Sequence, residues 1–138
     1  MIWHLLKGDL INTIILDSFF DFVDIESDYL RNLLERVLTI INRPDLHFGK
    51  IGECRIFGNA GLVTRDGEIY LDSRKLTFLG DEMAMALIAH ELAHYHLGHH
   101  VNWKYSPEKQ MEADELARSC GFNIDEYREE FPINGKET

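Results

Sequence analysis

The stretch DEMAMALIAHELAHYHLG, residues 81–98, constrains the fold of this chain more than any other segment. Asp81 is a suitable N-cap residue, and Gly98 is suited to end a helix. Between them the residues are apolar on almost every face until the histidines begin, which is typical of a central, buried helix. We therefore expect the other elements to pack around this helix.

The segments before this helix predict a further helix and a small sheet. In residues 28–43 the apolar residues recur at helical spacing, and Pro44 follows directly. Residues 50–72 contain three short runs rich in β-forming residues, CRIF, LVT and EIYLD. We expect three short strands, the last two joined as a hairpin through the RDG turn at 65–67.

The remaining segments predict helices. Residues 73–79 suit a brief helical turn, residues 107–121 begin with a proline and end with a glycine, and residues 124–131 suit a last helical piece. The chain of 138 residues has room for one hydrophobic core. We predict a single α+β domain over 1–138, with a helical part at 1–48, a small and mostly antiparallel sheet at about 50–72, and helices at 81–98 and 107–121.

Composition narrows the choice of partners. The formal net charge is −10, and the few basic residues are scattered, so nucleic acid is not an expected partner. The apolar start, MIWHLLKGDLINTIILDSFFDFV, is interrupted by charged residues and lacks a small-residue cleavage site, so we expect neither a membrane span nor a signal peptide. These features favour an acidic cytoplasmic protein.

The buried helix carries the motif HExxH as His90, Glu91 and His94. Residues four apart lie on one helix face, so both imidazoles can bind one ion. Two imidazoles and a third ligand leave one zinc position for a water, and a nearby carboxylate can take its proton. We predict one Zn²⁺ held by His90 and His94, with Glu91 as general base, because burying these groups without a partner would be costly.

Three further histidines follow the motif, His96, His99 and His100. They lie near the predicted end of the helix, where cationic or capping histidines are ordinary. We do not expect them to bind the metal.

HELAHYHLGH is similar to the HELGHxxLGH signature of the Ste24/HtpX-type zinc metallopeptidases, the M48 family of gluzincins. NAGLVTRDGEIYLDSRKL upstream and MEADELARSCGFN downstream resemble the family's edge-strand and glutamate-helix segments, in the same order. The resemblance covers about residues 58–125 and implies a zincin-like domain of the minimal soluble, minigluzincin type. Phage-type and ImmA/IrrE-like peptidases share the same core plan and stay possible relatives.

The resemblance also implies roles for single residues. Asn59 and Ala60 would belong to the edge strand that receives an extended peptide by strand addition. Asp114 would be the carboxylate that orients a ligand histidine. The third ligand in the family is a glutamate four residues before that aspartate, and this chain has Gln110 there.

Three interpretations of the third ligand follow. Glu112, or in second place Glu108, would supply a carboxylate after a register shift or a distortion near Pro107; Gln110 would bind weakly or through water; or the site is degenerate. Gln110 and Asp114 share a helix face, whereas Glu112 projects away from them on a regular helix. Glu112 is nevertheless the first choice here, because zinc sites rarely lack an available carboxylate.

The sequence therefore predicts a zinc metallopeptidase that cleaves an extended peptide or protein segment through a metal-activated water. The alternative is a catalytically impaired metal-binding module that grips peptides along its edge strand. An oxyanion stabiliser is also needed, and it stays open among four candidates: His100, Tyr105, Tyr127 and Arg128.

Overall fold

The computed structural model describes residues 21–23, 25, 27–42, 50–102, 104 and 106–133. The strands among these residues are β1 (Asp21–Val23), β2 (Lys50–Glu53), β3 (Gly61–Val63) and β4 (Ile69–Leu71). The helices are α1 (Asp28–Ile41), α2 (Ser73–Leu79), α3 (Asp81–His96), α4 (Pro107–Ser119) and α5 (Ile124–Glu130). The α+β class is confirmed.

The four strands form one mixed sheet in the order β1-β2-β4-β3. The pairs β1/β2 and β2/β4 are parallel, and only β3/β4 is antiparallel. The expectation of a mostly antiparallel sheet was wrong, because α1 crosses between β1 and β2 and returns the chain in the same direction. The predicted helical part at 1–48 also contains strand β1, while residues 1–20 and 43–49 lie outside the described part.

The strand expected at CRIF, residues 54–57, lies just before that stretch, as β2 at Lys50–Glu53. In the following segment the Cys54 N–H still donates to the Leu71 carbonyl at 3.1 Å, and the backbone after it is held by side chains. The Ile56 N–H donates to the buried Asp72 carboxylate at 3.0 Å, and Lys75 Nζ donates to the carbonyl oxygens of Ile56 and Asn59. Burial opposes ionisation of Asp72, but the backbone donors of Ile56, Lys75 and Arg74 hold its pKa below the ordinary value.

The hairpin between β3 and β4 is confirmed. The Thr64 N–H donates to the Glu68 carbonyl at 2.8 Å, and Gly67 has a φ of +84°, which a glycine adopts without strain. Because β3 lies at the end of the sheet order, it is an edge strand among the described residues.

Helix α3 begins one residue earlier than the expected N-cap at Asp81 implies. Gly80 is its N-cap, and Asp81 is its first helical residue. The Asp81 carboxylate is used elsewhere, since it accepts hydrogen bonds from the Tyr29 hydroxyl at 3.0 Å and from Arg36 Nη1 at 2.6 Å. The helix ends at His96 rather than 98, and Leu97 is its C-cap.

The central position of α3 is confirmed. Ten of its sixteen residues are buried, and it packs against α1, α2, β3, β4, α4 and α5. Its apolar residues share the core with α1 and the sheet, and the largest fully buried side chains are Leu30, Leu33, Leu34, Ile51, Ile69, Leu71, Leu76, Ile88, Leu92, Ile124 and Val37. No helix in the described part of the chain is long and apolar enough to cross a membrane.

Candidate metal centre

His90 and His94 meet on one face of α3. Their Nε2 atoms lie 2.9 Å apart, and their rings stand nearly perpendicular, with an interplanar angle of 86°. Each residue is only 5% exposed. Burial and the neighbouring His90 lower the pKa of His94 to about 3, so this imidazole is neutral at physiological pH.

The outer nitrogen of His90 is held by Asp114 on helix α4. The His90 Nδ1–H donates to Asp114 Oδ1 at 2.9 Å, and this carboxylate is 4% exposed. Burial opposes ionisation, but the hydrogen bonds from His90 and Arg128 hold the pKa of Asp114 below its ordinary value. A carboxylate at Nδ1 fixes the tautomer of His90 and leaves its Nε2 lone pair free.

Arg128 on α5 supports that carboxylate from the other side. Its Nε donates to Asp114 Oδ2 at 2.6 Å, and its Nη2 donates to Asp114 Oδ1 at 2.9 Å. Its Nη1 donates to the carbonyl oxygen of Phe131 at 3.0 Å. The two-pronged contact orients Asp114 and therefore, through it, His90.

Gln110 occupies the third position beside the histidine pair. Its Oε1 lies 3.2 Å from His94 Nε2, and Gln110 and Asp114 lie one turn apart on α4. Glu112, the first choice from sequence, points elsewhere: its side chain is 61% exposed, and its Oε1 lies 3.7 Å from His99 Nε2. Glu108 is exposed and accepts from Ser106 Oγ at 2.8 Å. The structure thus places Gln110, and not Glu112, beside the histidine pair, because residues two apart cannot share a helix face.

The lone pairs of the side chains that meet here suit the binding of a cation. With Nδ1 of His90 donating to Asp114, its Nε2 presents a lone pair towards His94 Nε2, and Gln110 Oε1 adds a carbonyl oxygen. Imidazole nitrogens and oxygen are ligands that zinc accepts. Within the described residues, no group of three or more His, Cys, Asp or Glu side chains could hold a metal.

A cleft of about 620 Å³ opens over the histidine pair. Glu91 lines it beside the pair, and burial raises the pKa of its carboxyl group. On the sheet side it is lined by the residues around β3, and on the other side by α5 and the segment after it. The cleft thus runs between the edge strand and the end of α5.

The free edge of β3 offers backbone groups to this cleft. The Asp72 N–H donates to the Ala60 carbonyl at 2.9 Å, and Thr64 pairs with Glu68, so the intervening odd-numbered residues face away from β4. The groups that face the free edge are therefore those of Gly61 and Val63. Asn59 and Ala60, which were expected in the strand, precede it; Asn59 lines the cleft, and the Ala60 carbonyl is turned towards Asp72.

Gly61 lets the strand approach the histidine helix. A Cβ atom there would lie 3.1 Å from Glu91 Cγ and 3.0 Å from Leu87 Cδ2. A larger residue would displace either β3 or Glu91. The sequence gives no local sign of this contact, because it depends on how the strand packs on α3.

The candidate oxyanion stabilisers fall into different places. Tyr127, His100 and Arg128 line the cleft, and Tyr105 lies outside the described residues. Tyr127 is 8% exposed, and burial, with the neighbouring Glu91 carboxylate, raises its pKa to about 12.

Of the histidines that follow the motif, His96 is exposed. The sequence did not reveal His99, whose Nδ1 lies 2.9 Å from His94 Nδ1, as part of the centre.

Comparison with known proteins gives one family. Residues 24–112 match the family model described as Peptidase family M48. No curated protein and no solved structure matches the chain significantly. The family match covers the histidine helix, β2 to β4 and Gln110, and it ends before Asp114 and Arg128.

Replacement of Arg128 tests the support of Asp114. We expect Arg128→Gln to lower the free energy of unfolding by about 2–4 kcal/mol, because it leaves a buried carboxylate with His90 as its remaining partner. The matched control is Arg118→Gln, which breaks exposed ion pairs to Glu115 and Asp125 and should cost less than about 1 kcal/mol. Urea unfolding measures both values, and equal losses would contradict the assignment.

Proposed function

Since the chain belongs to peptidase family M48, we propose that it is a zinc-dependent metallopeptidase that hydrolyses peptide bonds in an extended peptide or protein segment. The observation that carries this proposal is the meeting of two imidazole Nε2 atoms and an amide oxygen beside Glu91, in a cleft bordered by a strand edge. The relation to the Ste24/HtpX-type members, the minigluzincin-type minimal domain and the zincin-like fold belong to the same proposal.

In this proposal one zinc ion is held by His90, His94 and Gln110. When bound, zinc activates a water molecule for attack and polarises the scissile carbonyl. Gln110 supplies a neutral oxygen where the family has a carboxylate. The affinity for zinc is therefore lower than that of a site with two histidines and a glutamate. Asp114 orients His90, and Arg128 orients Asp114.

Glu91 is the general base in this proposal. Its carboxylate lies on α3 between the two histidines, in the wall of the cleft. It accepts a proton from the attacking water and later delivers that proton to the leaving amine. Gly61 leaves room for its side chain, because a Cβ atom on that strand residue would lie 3.1 Å from Glu91 Cγ.

The substrate lies along β3 in an extended conformation. The N–H and C=O groups of Gly61 and Val63 face the free edge, and a peptide added there continues the sheet across the cleft. This mode reads the peptide backbone, so it fits protein segments without regular structure. Neither nucleic acid nor a membrane is needed as a partner, and a cytoplasmic location suits the acidic composition.

Tyr127 is the donor that best suits the developing oxyanion. It lines the cleft, its ring lies 6.4 Å from that of His90, and its raised pKa keeps the hydroxyl protonated. Arg128 is less suitable, because its guanidinium group is committed to Asp114 and Phe131. A protonated hydroxyl in the wall of a cleft can stabilise negative charge on the carbonyl oxygen.

The competing function is a metal-binding module that holds peptides without cleaving them. Gln110 is the observation that favours it, because a neutral third ligand weakens the metal site. The two functions differ in turnover: zinc bound at one equivalent without cleavage across a broad peptide library supports the module, and cleavage that a chelator abolishes supports the peptidase.

Replacement of Glu91 tests the catalytic assignment. Glu91→Gln should retain one equivalent of zinc and lower kcat by at least about 100-fold, because the amide keeps the shape but cannot accept the proton. Cleavage of a quenched peptide library and zinc analysis by mass spectrometry give the two readouts. Glu129→Gln, an exposed change on α5 with the same loss of charge, should cleave as the parent does. Full activity in Glu91→Gln would reject the mechanism.

Replacement of Gln110 tests the third ligand. Gln110→Glu should raise zinc affinity by about 10- to 100-fold, because a carboxylate then faces the histidine pair. The matched control is Met111→Glu, which adds the same charge at a neighbouring residue that is 60% exposed. Titration against a competing chelator measures both affinities. If the two variants bind zinc equally, the assigned position of Gln110 is wrong.

A further inference from the structure

The two histidines of the pair have different outer partners. Nδ1 of His90 meets a carboxylate, Asp114, whereas Nδ1 of His94 meets another imidazole, with Nδ1 of His99 at 2.9 Å. A neutral imidazole is either a donor or an acceptor at Nδ1, depending on its tautomer. His99 can therefore set the tautomer of His94 only if another group sets the tautomer of His99.

Glu112 lies near the other nitrogen of that ring. Its Oε1 lies 3.7 Å from Nε2 of His99, on the far side of that ring from His94. A carboxylate beside Nε2 favours the tautomer with its proton on Nε2, and Nδ1 of His99 is then a lone-pair acceptor. His94 must then donate from Nδ1, which leaves its own Nε2 lone pair facing His90 and Gln110.

We infer that His99 is a positioning residue for the metal centre, and that Glu112 sets its tautomer. The inference rests on the proposed zinc site and gives a role to two residues outside its ligand set. Glu112, instead of binding the ion, acts through His99 and His94. Each ligand histidine then has a fixed outer partner, one backed by Arg128 and the other by Glu112.

The chain reverses after α3 in a way that makes this contact possible. Gly98 has a φ of +75°, and the His99 N–H donates to the His94 carbonyl at 3.0 Å. The turn brings the His99 ring back over His94, with ring centroids 5.1 Å apart, and leaves His99 8% exposed. The contact is therefore buried and sterically defined.

The contact between His94 and His99 is stronger than the contact between His99 and Glu112. The contact between His94 and His99 is buried and short, whereas the Glu112 side chain is 61% exposed and its contact is long. An exposed charge is screened by water, so loss of Glu112 should have a smaller effect than loss of His99.

Two nearly isosteric replacements of His99 test this inference. Asparagine places its amide oxygen where Nδ1 of histidine lies, whereas glutamine places it near the position of Nε2. We expect His99→Gln to weaken zinc binding by about 10- to 100-fold and His99→Asn to stay within about threefold of the parent. Glu112→Gln should weaken binding by about two- to fivefold, and the control Glu115→Gln, exposed on the same helix, should leave it unchanged.

Two measurements without zinc separate positioning from a merely structural role. Thermal unfolding of the zinc-free chains should give similar midpoints for His99→Asn and His99→Gln, because both lose the same ring. Long-range ¹H–¹⁵N spectra of the zinc-free parent should show His94 protonated on Nδ1. A His94 protonated on Nε2, or equal zinc affinities for the two His99 variants, would overturn the inference.

The outcomes also separate this inference from the proposed function. A parent chain that binds no zinc overturns the zinc proposal and this inference with it. A parent that binds zinc and cleaves peptide, together with a His99→Gln variant that binds zinc as tightly, overturns the inference alone.

Discussion

The close approach of two imidazoles on a buried helix is the constraint on which the rest of this structure depends. His90 and His94 bring their Nε2 atoms within 2.9 Å at 5% exposure, where water cannot easily satisfy both. The surrounding elements supply the polar partners of the two imidazoles. Helix α4 supplies Asp114 and Gln110, α5 supplies Arg128, and the turn after α3 supplies His99.

The two ligand histidines face inwards with Nε2 and outwards with Nδ1, and the two nitrogens play opposite hydrogen-bonding roles. The outer partners, Asp114 and His99, accept hydrogen bonds from Nδ1 of the two histidines, and as a result the two Nε2 atoms present lone pairs to one point. Such an arrangement favours a cation, and in the proposed zinc site the outer carboxylates, Asp114 and Glu112, provide negative charge near the neutral amide of Gln110. The edge strand borders the site, because Gly61 has no Cβ atom and so allows β3 to lie close to Glu91.

Local patterns predicted much of the fold, and non-local packing accounts for the differences. The buried helix and the β3–β4 hairpin follow from periodicity and turn chemistry, and both were confirmed. Parallel pairing of β1, β2 and β4 depends on a crossover, which local sequence does not encode. Helical geometry already separated Glu112 from Asp114, but the preference of zinc for carboxylate outweighed it in the prediction. His99 and Arg128 act through a chain reversal and through packing of α5, so neither could be found from spacing alone.

The central claim is that His90, His94 and Gln110 bind one zinc ion, with Glu112 held outside the ligand set. A crystal structure of the zinc-loaded protein, with anomalous diffraction recorded at the zinc absorption edge, tests it most directly. The account predicts one anomalous peak bonded to Nε2 of both histidines and to Oε1 of Gln110. A peak bonded to the Glu112 carboxylate, or a peak away from the histidine pair, would contradict it.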